Sequence, residues 1–369
     1  MRHLYLAATG QNRGKTTAAL GLLEGFIGRG HLTGFMKPVG QRTVIDEGEP
    51  ADEDAVLMKA VFGLPEPYPV MSPVHIPRGF TKSYIAGEVV ADLGKRVRDA
   101  HATFAGHDIV LIEGTGHAGV GAVIGLSNAT VAAMLGVPAI IISEGGVGRP
   151  IDEIVLNAAL FARHGVHVAG AIVNKVDLDA QPELGAVLEA GLMPHGIPLL
   201  GVLPVKPILS SPTLGMILEG VKGESLHAGP DLDRVISGVA IGAMEPGHML
   251  ERVGPDTLVI VPGDREDVIL TLTSAHGSRG DGRDPSGAAG VGLVLTGGYR
   301  PGAAVLQAIR DADLFAALVP EDTYHVASEV HDLLVKTHAA DREKIALIKT
   351  LVADNLDVDR ILEVARPAG

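Results

Sequence analysis

The sequence runs to 369 residues with a net charge of −14, and it is 46% hydrophobic, 20% charged and only 3% aromatic. That length predicts two domains, with cores of Ala, Val, Leu and Ile suited to parallel α/β layers. The acidic balance excludes a general nucleic-acid binder, which needs a basic face, and the absence of cysteine excludes disulfides, thiolate metal sites and a thiol nucleophile.

The chain enters a strand at once, in "RHLYLAA", with no signal-peptide pattern, so a cytoplasmic location is expected. No apolar run approaches the roughly 20 residues of a membrane span, so no membrane partner is expected. "KTTAALGLLEGFIGRG" reads as a helix closed by Gly30, "LTGFMKPV" as a strand and "DEDAVLMKAVFGL" as a helix with an acidic start. The helix "VVADLGKRVRDAHATFAG" leads into the buried strand "DIVLIEG", followed by "NATVAAMLG" as helix and "PAIIIS" as strand. "PIDEIVLNAALFARHG" is a helix opened by Pro150, and "VAGAIVNKV" and "PLLGVLP" are the last strands of this half. Such alternation predicts right-handed crossovers and a mostly parallel, doubly wound sheet.

Three prolines in "PVKPILSSPTLG" break the rhythm and place a boundary near residue 205. Residues 206–369 again read as α/β, a second and smaller domain ending in the charged amphipathic helices through "REKIALIKTLVADNL". The Gly/Ser/Asp-rich tract at 274–290 reads as a flexible surface loop.

"TGQNRGKTT", between the first strand and the first helix, has the makings of a phosphate loop. Glycines let backbone N–H groups turn toward anionic oxygens, a lysine supplies charge near the β- and γ-phosphates, and a neighbouring hydroxyl ligates Mg²⁺. Gly14, Lys15 and Thr16 form the core, and the cradle extends over Gly10, Gln11, Asn12, Arg13 and Thr17. The usual spacing would put a glycine at Thr9, whereas this chain has Gly10.

Carboxylates must join Thr16 for Mg²⁺ chemistry. Glu113 ends a hydrophobic strand, where open α/β sheets place ligand-binding residues, and Gly114 begins the turn "GTGHAG" behind it. Asp54 either caps its helix or turns toward the metal, with Asp52 and Glu53 as competitors. Lys37 ends the second strand before Pro38, where a second cation would neutralise a transferred phosphoryl group. "SEGGVGRPIDE", with Gly145, Gly146, Gly148 and Arg149, fits either an anionic substrate or a subunit contact. Asn174 is placed to pair with the exocyclic amine and N7 of adenine, yet Asn174-Lys175-Val176-Asp177 also matches the string that reads guanine in many GTPases. The 15 histidines show no metal-ligand cluster beyond His164 and His167, which flank a turn and read more simply as surface histidines.

In combination, "TGQNRGKTT", "FMKPVG", "DEDAVLM", "LIEGTG" and "IVNKV" resemble dethiobiotin synthetase, and more closely the synthetase-like amino-terminal region of long bacterial phosphate acetyltransferases. "LSSPTLGMILEGVKGE", Asp264-Arg265 and Thr296-Gly297-Gly298 resemble the DRTGG domain that follows there. The resemblance covers residues 1–355 and implies a P-loop fold. It implies ATP and Mg²⁺ as ligands: Lys15 and Thr16 on phosphate and metal, Asp54 and Glu113 completing the metal shell, Lys37 toward the γ-phosphate and substrate, and Asn174 on adenine. Phosphotransacetylase activity is not expected of this chain alone, because the acetyltransferase domain would follow residue 369.

The expectation is a Mg·ATP-binding, slowly hydrolysing protein that senses nucleotide or a small anionic metabolite and regulates an enzyme of acyl-phosphate metabolism. Its rivals are an ATP-dependent ligase or carboxylase that forms an acyl- or carbamoyl-phosphate, and a GTPase switch. A homodimer is expected, with "EGGVGRP" at its interface.

Overall fold

In this computed structural model the described residues are 2–89, 91–229, 231–277, 292–331, 333, 335 and 337–365. Short apolar runs in the first half become strands β1 (Arg2–Ala8), β2 (Thr33–Met36), β3 (Ile109–Glu113), β4 (Ala139–Glu144), β5 (Val168–Val176) and β6 (Leu199–Pro204). They form one parallel sheet in the order β6-β5-β4-β1-β3-β2. Helices cover both faces, so β3 is buried at every position and shows no polar alternation.

Helix α1 (Lys15–Ile27) follows β1 and buries Leu20, Leu22, Leu23 and Phe26 completely, each contributing about 1.5–3 kcal/mol. It stops one turn before Gly30, which takes φ 79° in the turn beyond. Helix α2 (Glu53–Phe62) is capped by Asp52, whose side chain accepts from the Asp54 backbone N–H at 3.1 Å. Helix α3 (Gly148–Arg163) starts two residues ahead of Pro150, within the glycine loop itself.

The chain divides into two compact units, Met1–Val205 together with Thr337–Gly369, and Lys206–Lys336. The boundary at 205/206 coincides with the proline-rich break, but the sequence expectation for 206–369 needs a correction. Helices α4 (Arg342–Asn355) and α5 (Val358–Val364) belong to the first unit. Gly21 and Gly25, one turn apart on α1, leave a groove there. Val352 fills the space a Cβ on Gly21 would need, and Val358 lies 3.1 Å from the position of a Cβ on Gly25. Lys349 pairs with Glu24 at 2.7 Å and Arg29 with Asp359 at 2.7 Å, and Leu356 bridges to Gly201 on the β6 edge. The apolar face of α4 therefore finds its partner far upstream in sequence.

The second unit holds a five-stranded sheet of β7 (Glu224–His227), β8 (Gly238–Ile241), β9 (Thr257–Pro262), β10 (Gly292–Thr296) and β11 (Phe315–Leu318). Its order is β7-β11-β10-β9-β8, with only β7 antiparallel to its neighbour. A helix over Glu266–Gly277 runs into the tract read as a loop at 274–290, whose residues 278–290 lie outside the described residues. Among the described residues no helix is long and apolar enough to cross a membrane.

Candidate nucleotide site

The loop after β1 is shaped by two left-handed residues, Asn12 at φ 56° and Gly14 at φ 93°. Gly14, at the N-terminal cap of α1, has no side chain to close the helix, and the positive dipole end of α1 faces the loop. That is the arrangement an anion satisfies. The Lys15 ammonium, 7% exposed, curls back to within 3.4 Å of the Gly10 carbonyl. Gln11 and Asn12 are exposed, while Arg13, Gly14, Thr16 and Thr17 are half-buried.

Three side chains from three different stretches of the chain converge beside Thr16. Its hydroxyl donates to Asp54 Oδ1 at 3.1 Å and lies 3.3 Å from Glu113 Oε1. Lys37, at the end of β2, donates to Asp54 Oδ2 at 2.6 Å, to Glu113 Oε1 at 2.9 Å and to the Gly114 carbonyl at 3.3 Å. Because Asp52 takes the cap of α2, Asp54 is left facing the cluster, which separates two candidates the sequence held open. The Glu53 side chain is turned to Arg42, its Oε2 lying 4.0 Å from a guanidinium nitrogen.

Burial governs the electrostatics here. Lys37, Asp54 and Glu113 are 4%, 5% and 1% exposed. Desolvation, with the Asp54 carboxylate adding to it, raises the Glu113 carboxyl to about 7 in spite of Lys37 and Lys15. Burial acts to lower the Lys37 ammonium, yet the Asp54, Glu113 and Asp52 carboxylates outweigh it and hold that group above its ordinary value.

The donor set suits a hard cation. Thr16, Asp54 and Glu113 offer only oxygen, and Glu113 Oε2 is buried with no hydrogen-bond partner among the described residues. No group of three or more His, Cys, Asp or Glu among the described residues is placed to hold a metal alone. Such a site fits Mg²⁺, which takes one or two carboxylates and fills its octahedron with phosphate oxygens and water.

Asn174, at the end of β5, donates from Nδ2 to the Arg13 carbonyl at 3.2 Å. Lys175, in a left-handed conformation at φ 57°, donates to the Asn12 carbonyl at 3.0 Å and to Glu144 Oε1 at 2.6 Å. Arg13 pairs with the same Glu144. The Asn174–Lys175 segment is thus strapped to the phosphate loop by two side-chain donors, a role that sequence spacing alone did not reveal. In the second glycine loop Arg149 is turned to Glu153 at 2.7 Å, and His164 is exposed.

Asn128 also escaped the sequence reading. Its carboxamide accepts from Tyr5 Oη at 2.9 Å and from the Thr115 N–H at 3.1 Å, and donates to the Thr115 and His117 carbonyls at 2.9 and 2.7 Å. It fixes the turn that carries Glu113 and Gly114. The one available signal was a polar residue opening the otherwise apolar helix "NATVAAML". In the second unit Arg265 is turned to Asp267 at 2.9 Å, Asp264 is exposed, and Thr296 Oγ1 lies 2.7 Å from Thr323 Oγ1.

Comparison with known proteins bears on both units. Residues 2–213 match the AAA domain family and residues 216–333 the DRTGG domain family. The chain is 28% identical over 375 residues to a phosphate acetyltransferase of Pseudomonas putida, covering 97% of this chain and 51% of that protein. It therefore spans about half the length of the curated acetyltransferases it matches. It is 27% identical over 224 residues to the ATP-dependent dethiobiotin synthetase BioD of Anaeromyxobacter dehalogenans, covering 59% of this chain and 97% of that one. Among solved structures, the septum site-determining protein MinD of Pyrococcus horikoshii, complexed with Mg-ADP, aligns at 17% identity and a TM-score of 0.37, covering 56% of this chain and 83% of that one.

Proposed function

Because the chain belongs to the AAA domain family over residues 2–213 and continues into a DRTGG domain over 216–333, we propose that its first unit binds a Mg·nucleoside triphosphate, ATP foremost. On this reading the protein senses nucleotide, or a small anionic metabolite bound beside it, and regulates an enzyme of acyl-phosphate metabolism. The observation that carries the proposal is the convergence of Thr16, Asp54, Glu113 and Lys37 at the mouth of an uncapped helix. Support for ATP comes from the synthetase match, and support for the regulatory reading from likeness to the acetyltransferases over 97% of the chain.

In this proposal the backbone N–H groups of residues 10–16 and the Lys15 ammonium hold the β- and γ-phosphates. Thr16, Asp54 and Glu113 hold Mg²⁺, which supplies charge neutralisation across the phosphate oxygens. Lys37 keeps a positive charge at the carboxyl edge of the sheet, where a terminal phosphoryl group would lie. Calorimetric titration of the full chain with ATP and with GTP, both with Mg²⁺, tests this directly. Binding of ATP is expected, and heat from neither nucleotide overturns the proposal. A GTP preference would move the reading to a GTPase switch, with Asp177 at the base.

A second reading, an ATP-dependent ligase or carboxylase, rests on Lys37, a buried cation held by both Asp54 and Glu113 where a substrate would meet the terminal phosphoryl group. ADP release measured across a panel of carboxylates and diamines separates the two. Stimulation by one substrate supports the ligase, and uniform basal turnover supports the sensor.

A further inference from the structure

The two edges of the second unit's sheet are built differently. Edge strand β7 runs antiparallel to its neighbour, shifts register between Ser225 and His227, and carries a Glu224–Arg300 ion pair at 2.5 Å and a His227–Asp313 polar contact at 2.8 Å. Register breaks and charges are how proteins blunt a sheet edge against unwanted pairing. The opposite edge, β8, has none of these. It pairs with β9 in unbroken parallel register, and the stretch "VISGVAIGAM" around it, residues 235–244, contains no charged residue and no proline. Val239 and Ile241 stand 48% and 45% exposed on it.

The ladder also fixes which backbone groups face outward. Gly238 and Gly242 donate their N–H groups inward, to the carbonyls of Asp256 and Ile260. In a parallel pair alternate residues point to opposite sides, so Val239 and Ile241 present N–H and C=O away from β9. The Ile241 carbonyl also accepts from the Ala243 N–H at 2.8 Å and keeps its second lone pair. Val239 and Ile241 are thus exposed in both their backbone and their apolar side chains.

We propose that β8 pairs antiparallel with β8 of a second copy of this chain, about a two-fold axis at Ala240. That register sets Val239 opposite Ile241 of the partner subunit and Ile241 opposite Val239 of the partner subunit, so the outward N–H groups of both strands find carbonyls. The same register places Val and Ile side by side on one face, a favourable cross-strand pair, and brings Gly238 opposite Gly242 with nothing to clash. A two-fold contact must be self-complementary, and this uncharged, near-palindromic strand meets that demand, whereas β7, with its ion-paired Glu224 and its His227 held by Asp313, does not. The proposal places a dimer contact at β8, a strand apart from the Gly145–Arg149 loop that the sequence pointed to.

Sedimentation velocity of the full chain over a range of concentrations tests the assignment, with circular dichroism as the folding control. The wild type is expected to dimerise. Ile241→Pro removes an outward N–H without touching the ladder to β9, and Val239→Lys places a charge in the contact; each is expected to weaken the dimer about tenfold or more. The double variant Val239→Lys/Ile241→Glu sets Lys opposite Glu twice in the proposed register, and it is expected to regain dimerisation at low salt. A monomeric wild type at every concentration overturns the proposal. So does a dimer of undiminished strength in both single variants, or a double variant that stays as weak as Val239→Lys alone.

Discussion

The carboxamide of Asn174 fills the space that a Cβ on Gly14 would need. Gly14 also sits at φ 93°, which a side chain disfavours. One residue thus shapes the phosphate loop, and the other, from the far end of β5, holds it shut by donating to the Arg13 carbonyl. Gly14→Ala should weaken nucleotide binding by about tenfold or more, given 1–3 kcal/mol of backbone strain alone. Calorimetry against the wild type checks this, and unchanged affinity would mean the loop does not grip the ligand in this conformation.

Lys15→Ala should reduce triphosphate affinity by roughly 10- to 100-fold, the effect of losing a charge-assisted hydrogen bond. The fold should persist, because Lys15 packs at the helix start rather than within the apolar core. Retained affinity with normal circular dichroism would remove the lysine from the site.

Glu113 should make the site pH-dependent. Its carboxyl is raised from 4.5 to about 7 by burial and by Asp54, so the folded state holds this proton more tightly than the unfolded chain. The sign follows: the contribution of Glu113 to stability is complete below about 4.5 and is lost as pH rises through about 7. Mg²⁺ needs the carboxylate, so Mg²⁺-dependent nucleotide affinity should rise over the same window. Glu113→Gln should flatten both trends, in urea melts and in titrations at several pH values. A variant with the wild-type pH profile would assign the titration to another group.

The groove between α1 and α4 should be sensitive to added volume. Gly21→Leu forces a side chain into the space held by Val352, which is fully buried, and overpacking of this kind costs about 1–3 kcal/mol. A chain ending at residue 336 should lose solubility, because Leu351, Val352 and Ile361 no longer cover α1 and β6. Urea midpoints test the first claim and soluble yield the second. A truncated chain as stable as the full one would show that α4 and α5 are dispensable.

Local physics made much of this molecule legible from its residues. Apolar runs of four to nine residues could only be buried parallel strands once helices were seen between them, and Gly-Lys-Thr between β1 and α1 marked the turn of a P-loop fold. Glu113 was singled out because strand ends face ligands in open sheets, and the fold sets it 3.3 Å from the Thr16 hydroxyl. Choosing among Asp52, Glu53 and Asp54 was beyond the sequence, since capping and metal binding ask for the same residue type within one turn. Asn128 was missed because a buried carboxamide that ties down a turn looks, in one dimension, like any polar residue opening a helix.

The sequence by itself determined the kinds of element, their order and the place of the phosphate loop, because each depends on periodicity and spacing between near neighbours. Only the tertiary structure decided that α4 and α5 return to the first unit and that Asn174 and Lys175 strap the loop. Those contacts join residues more than 150 positions apart, and no local pattern records which distant groove an apolar face will fill or which carbonyl a buried donor will reach.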